Sequence, residues 1–212
     1  MYEWLLTALK QAFREERLLK RSPRGSVHLL RHEAGGQRFV LRRFTGNAEV
    51  YRRLLHCTCR NLPAVYEVAS QGEENLVLEE YIQGREIQVA VLEDRALPSI
   101  EIIPKQGFYD YENKYQPGAA TEVCPAEIPP EAEARLREAA VQVYETLGLS
   151  VYSRADFILD ADGEPWFLEI NTLPGMTPTS LVPQEAAAVG IGYEELCQRI
   201  VEASLKARRE GR

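Results

Sequence analysis

Apolar positions along the first residues recur at helical spacing. Leu5, Ala8, Leu9, Ala12 and Phe13 fall near one face and predict a short amphipathic helix over 2–13. The pattern then turns to alternation. Val27 and Leu29, then Phe39 and Leu41, predict a hairpin over 26–44 with Ala34-Gly35-Gly36 as its turn. Asn47 is placed to cap a helix over 48–57, and Leu62-Pro63 closes that region. Strands are predicted near 64–69, 75–81, 86–92 and 98–103. A loop from Gly107 to Gly118 is dense in aromatics. Pro129-Pro130 and Gly148 bracket a helix ending near Leu147. Strands follow near 151–159 and 165–171, then a Pro- and Thr-rich loop over 172–183. A last helix, about 193–208, ends in basic residues that suit its dipole. The one candidate boundary lies near 82–86.

The segment 151–171, VYSRADFILDADGEPWFLEIN, carries the sharpest chemistry. Asp162-Gly163 is a preferred pair for a two-residue hairpin turn. That turn sets Asp156 opposite Glu169 and Arg154 opposite Asn171. Ala155 then meets Ile170, Phe157 meets Leu168, and Leu159 meets Trp166 on an apolar face. A slip of one residue would mix the two faces. Opposed side chains stand roughly 4.5–5.5 Å apart at Cβ. Carboxylates that close repel unless one is protonated or a cation lies between them. Asp, Glu and Asn oxygens suit Mg²⁺. From the hairpin alone, a solvated polar face offset by Arg154 is an equally open reading.

Composition narrows the classes. At 45% hydrophobic and 27% charged residues the chain is that of an ordinary globular protein. A net charge of −7 argues against a general nucleic-acid binder. No apolar run reaches the ~18 residues of a membrane span, and Met1 to Phe13 lacks the layout of a signal peptide. The expectation is a cytoplasmic protein with no membrane partner. Cys57, Cys59, Cys124 and Cys197 are expected to be reduced, partly buried thiols, since their spacing fits no familiar zinc site.

The motifs GFYDYENKY (107–115), CPAEIP (124–129), RADFILDADG (154–163) and EINTLPGMTPTSLVP (169–183) occur in the order and spacing of the ATP-grasp enzymes of the D-alanine–D-alanine ligase type. The chain resembles that family over about 84–212. The resemblance implies that Asp156, Glu169 and Asn171 hold two Mg²⁺ ions bridging ATP phosphates, with Mn²⁺ fitting the same ligands. It implies that Arg154 stabilises charge on the acyl phosphate or tetrahedral intermediate. Lys114 would meet the phosphates from a closing loop, and Tyr115 would shape the amino-acid site. Gly175, Ser180 and Leu181 would position the carboxylate of the second amino acid. VLEEYIQGREI (77–87) fits the family's hinge: Glu80 and Ile82 flank Tyr81 and offer backbone groups to adenine, Glu79 lies beside it, and Glu86 holds the ribose. Ile158, Leu168 and Phe108 would floor the adenine, in competition with plain core packing. The implied reaction joins two small amino acids such as D-alanine through an acyl phosphate, and the implied assembly is a homodimer.

The first 80 residues do not match that ligase. The domain that would hold the first D-alanine, the lysine-bearing strand and the Gly/Ser-rich phosphate loop have no counterpart in the pattern. The segment instead resembles the N-terminal lobe of a Ser/Thr protein kinase. SPRGSVHL (22–29) sits at the glycine-rich loop, FVLRRF (39–44) at the strand bearing the ATP lysine, and Glu49 on the next helix, where it would pair with Arg42. Arg42 replaces the lysine, and only Gly25 stands in the loop; no His-Arg-Asp or Asp-Phe-Gly motif follows. The expectation is therefore an α+β, two-lobed ATP-grasp/kinase-like architecture with antiparallel sheets, 1–83 and 84–212. The leading function is an ATP-dependent carboxylate–amine ligase. A non-catalytic ATP-binding hybrid and a kinase-like phosphotransferase or ATPase are the alternatives.

Overall fold

The computed structural model describes residues 2–57, 59–104 and 120–210. They fall into two compact units, one holding the residues up to Ile82 and the other holding Gln83–Ile103 with the residues from Thr121 onward. The expected strand-rich α+β character is present in both.

The first unit begins with helix α1 (Tyr2–Ala12), which runs directly into strand β1 (Phe13–Ser22). Strands β2 (Gly25–His32) and β3 (Arg38–Thr45), helix α2 (Glu49–Leu54), and strands β4 (Val65–Gln71) and β5 (Glu74–Glu80) follow. The strands pair antiparallel in the order β1-β2-β3-β5-β4. α1 buries Tyr2, Leu5 and Leu9 against Leu30, Leu41, Leu76 and Leu78 on one face. α2 covers the other face around Val65, Val68 and Val77. The middle of β5, Leu76-Val77-Leu78, is therefore apolar on both faces, with the polar Asn75 and Glu79 buried beside it.

β1 was not expected as a strand. FREERLLKRS has no apolar alternation, and bulges between Glu15 and Arg17 and between Leu18 and Lys20 break its period. It is an edge strand held by charge: Glu16 accepts from Arg38 Nε at 2.9 Å. Charged residues are ordinary on such an edge. Asn47 does not cap α2 in the usual way; Ala48 is the N-cap, and Asn47 Oδ1 accepts from Glu49 N at 2.8 Å. Cys57 and Cys59 are exposed, against the expectation of burial, while Cys124 and Cys197 are half-buried and all four are free thiols.

The second unit contains β6 (Arg85–Leu92), β7 (Arg95–Ala96), β8 (Ile100–Pro104), β9 (Ala120–Val123), α3 (Pro130–Thr146), β10 (Tyr152–Leu159), β11 (Pro165–Asn171), α4 (Leu181–Ala188) and α5 (Tyr193–Arg209). Its sheet runs β11-β10-β6-β8-β9, with β7 on β6. Ile87, Val89 and Val91 of β6 and Ala155, Phe157 and Leu159 of β10 pack against Leu136, Ala140 and Tyr144 of α3. On the opposite face Ala90 and Leu92 pack with Val182, Ala186 and Leu196 of α4 and α5. α4 starts inside the segment read as loop. Pro183 falls in its first turn, where a missing N–H costs nothing. No helix among the described residues is long and apolar enough to cross a membrane.

Gly84 lets the start of β6 lie against the end of β10. A Cβ there would stand 2.2 Å from the Leu159 carbonyl oxygen and 2.6 Å from Ile158 Cγ2. Backbone cannot yield as a side-chain tip can. Gly84→Ala is expected to cost roughly 1–3 kcal/mol, seen as a lower urea midpoint at constant m-value. An unchanged midpoint would show that the contact is slack.

Candidate functional site

The site grows from the β10–β11 hairpin. Its turn is not the predicted two-residue type. Gly163 N donates to the Asp160 carbonyl at 3.2 Å and Asp160 N to the Glu164 carbonyl at 3.1 Å. This closes a longer loop in which Gly163 takes φ +72°, the left-handed residue a three-residue hairpin loop requires. Asp160 organises that loop. It accepts from Trp166 Nε1 at 2.8 Å, Glu164 N at 2.8 Å and Asp162 N at 3.0 Å. The Trp166 hydrogen bond first, then that from Glu164 N, holds its carboxyl below the usual range.

The longer loop moves the pairing by one residue near the turn. Phe157 meets Phe167 and Leu159 meets Pro165, rather than Leu168 and Trp166. A bulge beyond Asp156 then restores the count. Asp156 pairs with Glu169 and Arg154 with Asn171, as the sequence pattern predicts. Two departures cancel, and the polar face survives. Leu168 stands at the bulge and is half-buried.

β6 completes this face from the other side of β10. Gln88 is cross-strand from Asp156, Glu86 from Ile158, and Ala90 from Arg154. Glu86, Ile158, Asp156, Glu169, Arg154 and Asn171 are thus brought onto one face. Arg154 and Asp156 are 8% and 5% exposed. Arg154 Nε donates to Asp156 Oδ1 at 2.9 Å and Nη2 to Oδ2 at 3.1 Å. Burial alone would lower the guanidinium's pKa. The hydrogen bond to Asp156 and the charges of Asp156, Glu185 and Glu169 outweigh it and raise the value. Gln88 Nε2 lies 3.4 Å from Asp156 Oδ2. Asn171 Nδ2 is buried without a hydrogen-bond partner, as is Gln88 Oε1.

A divalent cation fits this donor set. Asp156 and Glu169 oppose each other, and the Asn171 amide is not tied down by its nitrogen. Among the described residues no three His, Cys, Asp or Glu side chains converge on one point. The set is two carboxylates and one amide, an all-oxygen choice that favours a hard ion.

The sequence pattern did not single out Gln88 or Glu185. Gln88 is the one polar residue in the apolar run Ile87–Leu92 of β6, which was a usable signal. Glu185 lies in the Ala-rich helix α4 and is fully buried, with Oε2 2.6 Å from Ala90 N. Burial pushes its carboxyl well above the ordinary range, against the pull of the Ala90 amide and of Arg154.

Gly175, Ser180 and Leu181 also come together. A Cβ on Gly175 would sit 3.1 Å from Ser180 Oγ. Ser180 Oγ accepts from Thr177 N at 3.0 Å, and Ser180 is the N-cap of α4 without a side-chain bond to that helix. Leu181 is the buried first residue of α4.

In the first unit Arg42 Nε donates to Glu79, which is 6% exposed. Glu49, the partner expected for Arg42, accepts from Arg53 Nε at 3.2 Å. Glu80 Oε2 accepts from Ala64 N at 3.2 Å, and Tyr81 and Ile82 are half-buried. Phe108, Lys114 and Tyr115 lie outside the described residues.

Residues 57–202 match the family described as D-ala D-ala ligase C-terminus. The match starts well before residue 84, where the motifs placed it, and takes in β4 and β5. The D-alanine–D-alanine ligase of Halalkalibacterium halodurans is 49% identical over 145 residues, covering 66% of this chain and 48% of that protein. That of Nitratidesulfovibrio vulgaris strain DP4 is 49% identical over 146 residues, covering 68% and 48%. The chain spans about half the length of these curated relatives. Among solved structures, the Bacillus anthracis D-alanine–D-alanine ligase complexed with ATP aligns with a TM-score of 0.57 at 36% identity, over 66% of this chain and 44% of that one. The VanG D-Ala:D-Ser ligase of Enterococcus faecalis aligns at 0.54 and 34%, over 63% and 39%.

Proposed function

This chain belongs to the D-alanine–D-alanine ligase family through that family's C-terminal region, and on that footing we propose that its second unit binds Mg·ATP for an ATP-dependent carboxylate–amine ligation. The observation that carries the reading is the register that sets Asp156 against Glu169 and Arg154 against Asn171 on one face. Asp156, Glu169 and Asn171 are the proposed ligands of two Mg²⁺ ions. Ions held there would clamp and neutralise phosphate oxygens during phosphoryl transfer.

The chain's own groups have separate tasks. Arg154 supplies a fixed positive charge for the developing anion. Glu86 is the candidate partner of the ribose, and Ile158 and Leu168 are apolar neighbours for the base. Ser180 leaves the first-turn amides of α4 without a side-chain cap, which suits a substrate carboxylate at Gly175, Ser180 and Leu181. In the proposed reaction a D-alanine carboxylate oxygen takes the γ-phosphoryl group and ADP departs. The amine of a second D-alanine attacks the acyl carbon, loses a proton, and phosphate leaves. Holding both partners makes the second step effectively intramolecular. Lys114, Tyr115 and Phe108 keep the roles the family resemblance gives them.

For the first unit the proposal stands by itself: a kinase N-lobe-like platform with Arg42, Glu79, Glu80, Tyr81 and Ile82 as nucleotide-contacting candidates. Its support is the chain order of a glycine-bearing hairpin, the Arg42 strand and a helix with Glu49; the two strands that follow lie within the ligase-family match.

Calorimetric titration with ATP tests the ligand set. Wild type is expected to bind more tightly with Mg²⁺ than without. The Glu169→Gln, Asn171→Ala double variant is expected to lose that Mg²⁺ dependence, a drop of roughly tenfold or more in affinity. A double variant with full Mg²⁺ dependence would remove these residues from the site. Phosphate release stimulated by D-alanine would then separate a ligase from an ATP-binding protein without turnover.

A further inference from the structure

We propose that Arg154 is the resident counter-cation of the metal site: in the ligand-free chain it takes the place at Asp156 that a divalent ion would take, and it yields that place only when phosphates arrive with the metal. The inference rests on the Mg·ATP reading above and adds an order of binding to it.

Both oxygens of Asp156 are engaged by one guanidinium, at 2.9 and 3.1 Å, with Gln88 Nε2 beside Oδ2. The pair is almost closed to solvent. The carboxylates of Asp156 and Glu169 act on this one cation. Arginine cannot shed its charge to make room for another. A bare divalent ion approaching from the exposed Glu169 to the buried Asp156 therefore meets a fixed like charge beside that carboxylate, where low hydration makes Coulomb repulsion strong.

Phosphate oxygens change that balance twice. They offer the guanidinium a bidentate partner in place of Asp156. They also complete the oxygen shell of a hard ion that two carboxylates and an amide leave open. Metal and nucleotide then bind with positive coupling, and each raises the other's affinity by the same factor. Gln88 Oε1, buried and without a partner, is a spare acceptor on the same face.

The test counts free Mn²⁺ by its electron paramagnetic resonance signal, with and without a non-hydrolysable ATP analogue. Wild type is expected to bind Mn²⁺ alone weakly and to gain strongly when the analogue is present. Arg154→Met is expected to bind Mn²⁺ alone roughly tenfold or more tightly than wild type, with a smaller gain from the analogue. A residue that only supported the fold would give the opposite sign. Equal or weaker Mn²⁺ binding by the folded variant overturns the proposal.

A second measurement needs no folded methionine variant. The Arg154 Nε–H resonance, identified by its absence from Arg154→Lys, should stay in place under Mg²⁺ alone and move when Mg²⁺ and the analogue are added together. Movement under Mg²⁺ alone overturns the proposal. Failure of wild type to take up Mn²⁺ even with the analogue would instead overturn the Mg·ATP reading beneath it.

Discussion

Asp156→Ala is expected to destabilise the ligand-free second unit by about 3–5 kcal/mol. The loss comes less from the missing attraction than from what remains. Arg154 would keep its charge in a place that is 8% exposed, without the acceptors for its Nε and Nη2. A buried ion pair adds little over a well-packed apolar pair, but half of one is costly. The double variant Arg154→Met, Asp156→Ala should therefore recover a large part of the loss, and the cycle isolates the pair. An exposed pair gives the contrast. Arg199 with Glu93 joins side chains 34% and 39% exposed, and Glu93→Ala should cost within about 1 kcal/mol. Urea unfolding followed by Trp166 emission, in a Trp4→Phe background, reads the second unit alone. An Asp156→Ala midpoint equal to that of wild type would show that Arg154 finds water or another carboxylate, and would refute the buried-pair account.

The hairpin shows what the sequence pattern carried and what it did not. Alternation from Arg154 to Leu159 and from Trp166 to Asn171 placed both strands and joined Asp156 to Glu169. The turn type was misread, because Asp162-Gly163 suits two loop lengths and the choice is made by Asp160. Its carboxylate gathers two backbone amides and the Trp166 indole, contacts that local propensity does not reveal. The register near the carboxylates held only because the bulge beyond Asp156 offset the longer loop. β1 escaped notice because an edge strand on charged pairs has no apolar period. α4 was hidden by Pro183, which is harmless in a first turn. Gln88 and Glu185 join the site by long-range packing, through β6 against β10 and α4 against β6. Neither pairing has a trace in local periodicity.

Glu185→Gln is expected to make the protein more stable than wild type at pH 8, with the two alike near pH 4. Glu185 has no exposure, one oxygen on Ala90 N and the other without a hydrogen-bond partner. The acceptor is needed where it stands. β8 pairs with β6 only from Glu86 to Gln88, and β7 only at Val91 and Leu92. The Ala90 carbonyl is met by Leu97 N at 2.8 Å, and its N–H turns to Glu185 instead of to a strand. Burial raises the folded-state pKa well above the ordinary one. The folded chain then keeps a proton that the unfolded chain releases once pH passes the ordinary glutamate range. Stability from this group is full below that range and is lost as pH rises toward the folded value. Glutamine keeps the acceptor and has no proton to lose, so its advantage over wild type grows with pH. Glu185→Leu leaves the Ala90 N–H buried without an acceptor and should cost about 1–3 kcal/mol relative to the glutamine variant at any pH. Urea midpoints of the three proteins between pH 4 and pH 8 decide the matter. If wild type instead gains on Glu185→Gln as pH rises, Glu185 is ionised in the folded chain and serves as a second counter-charge to Arg154.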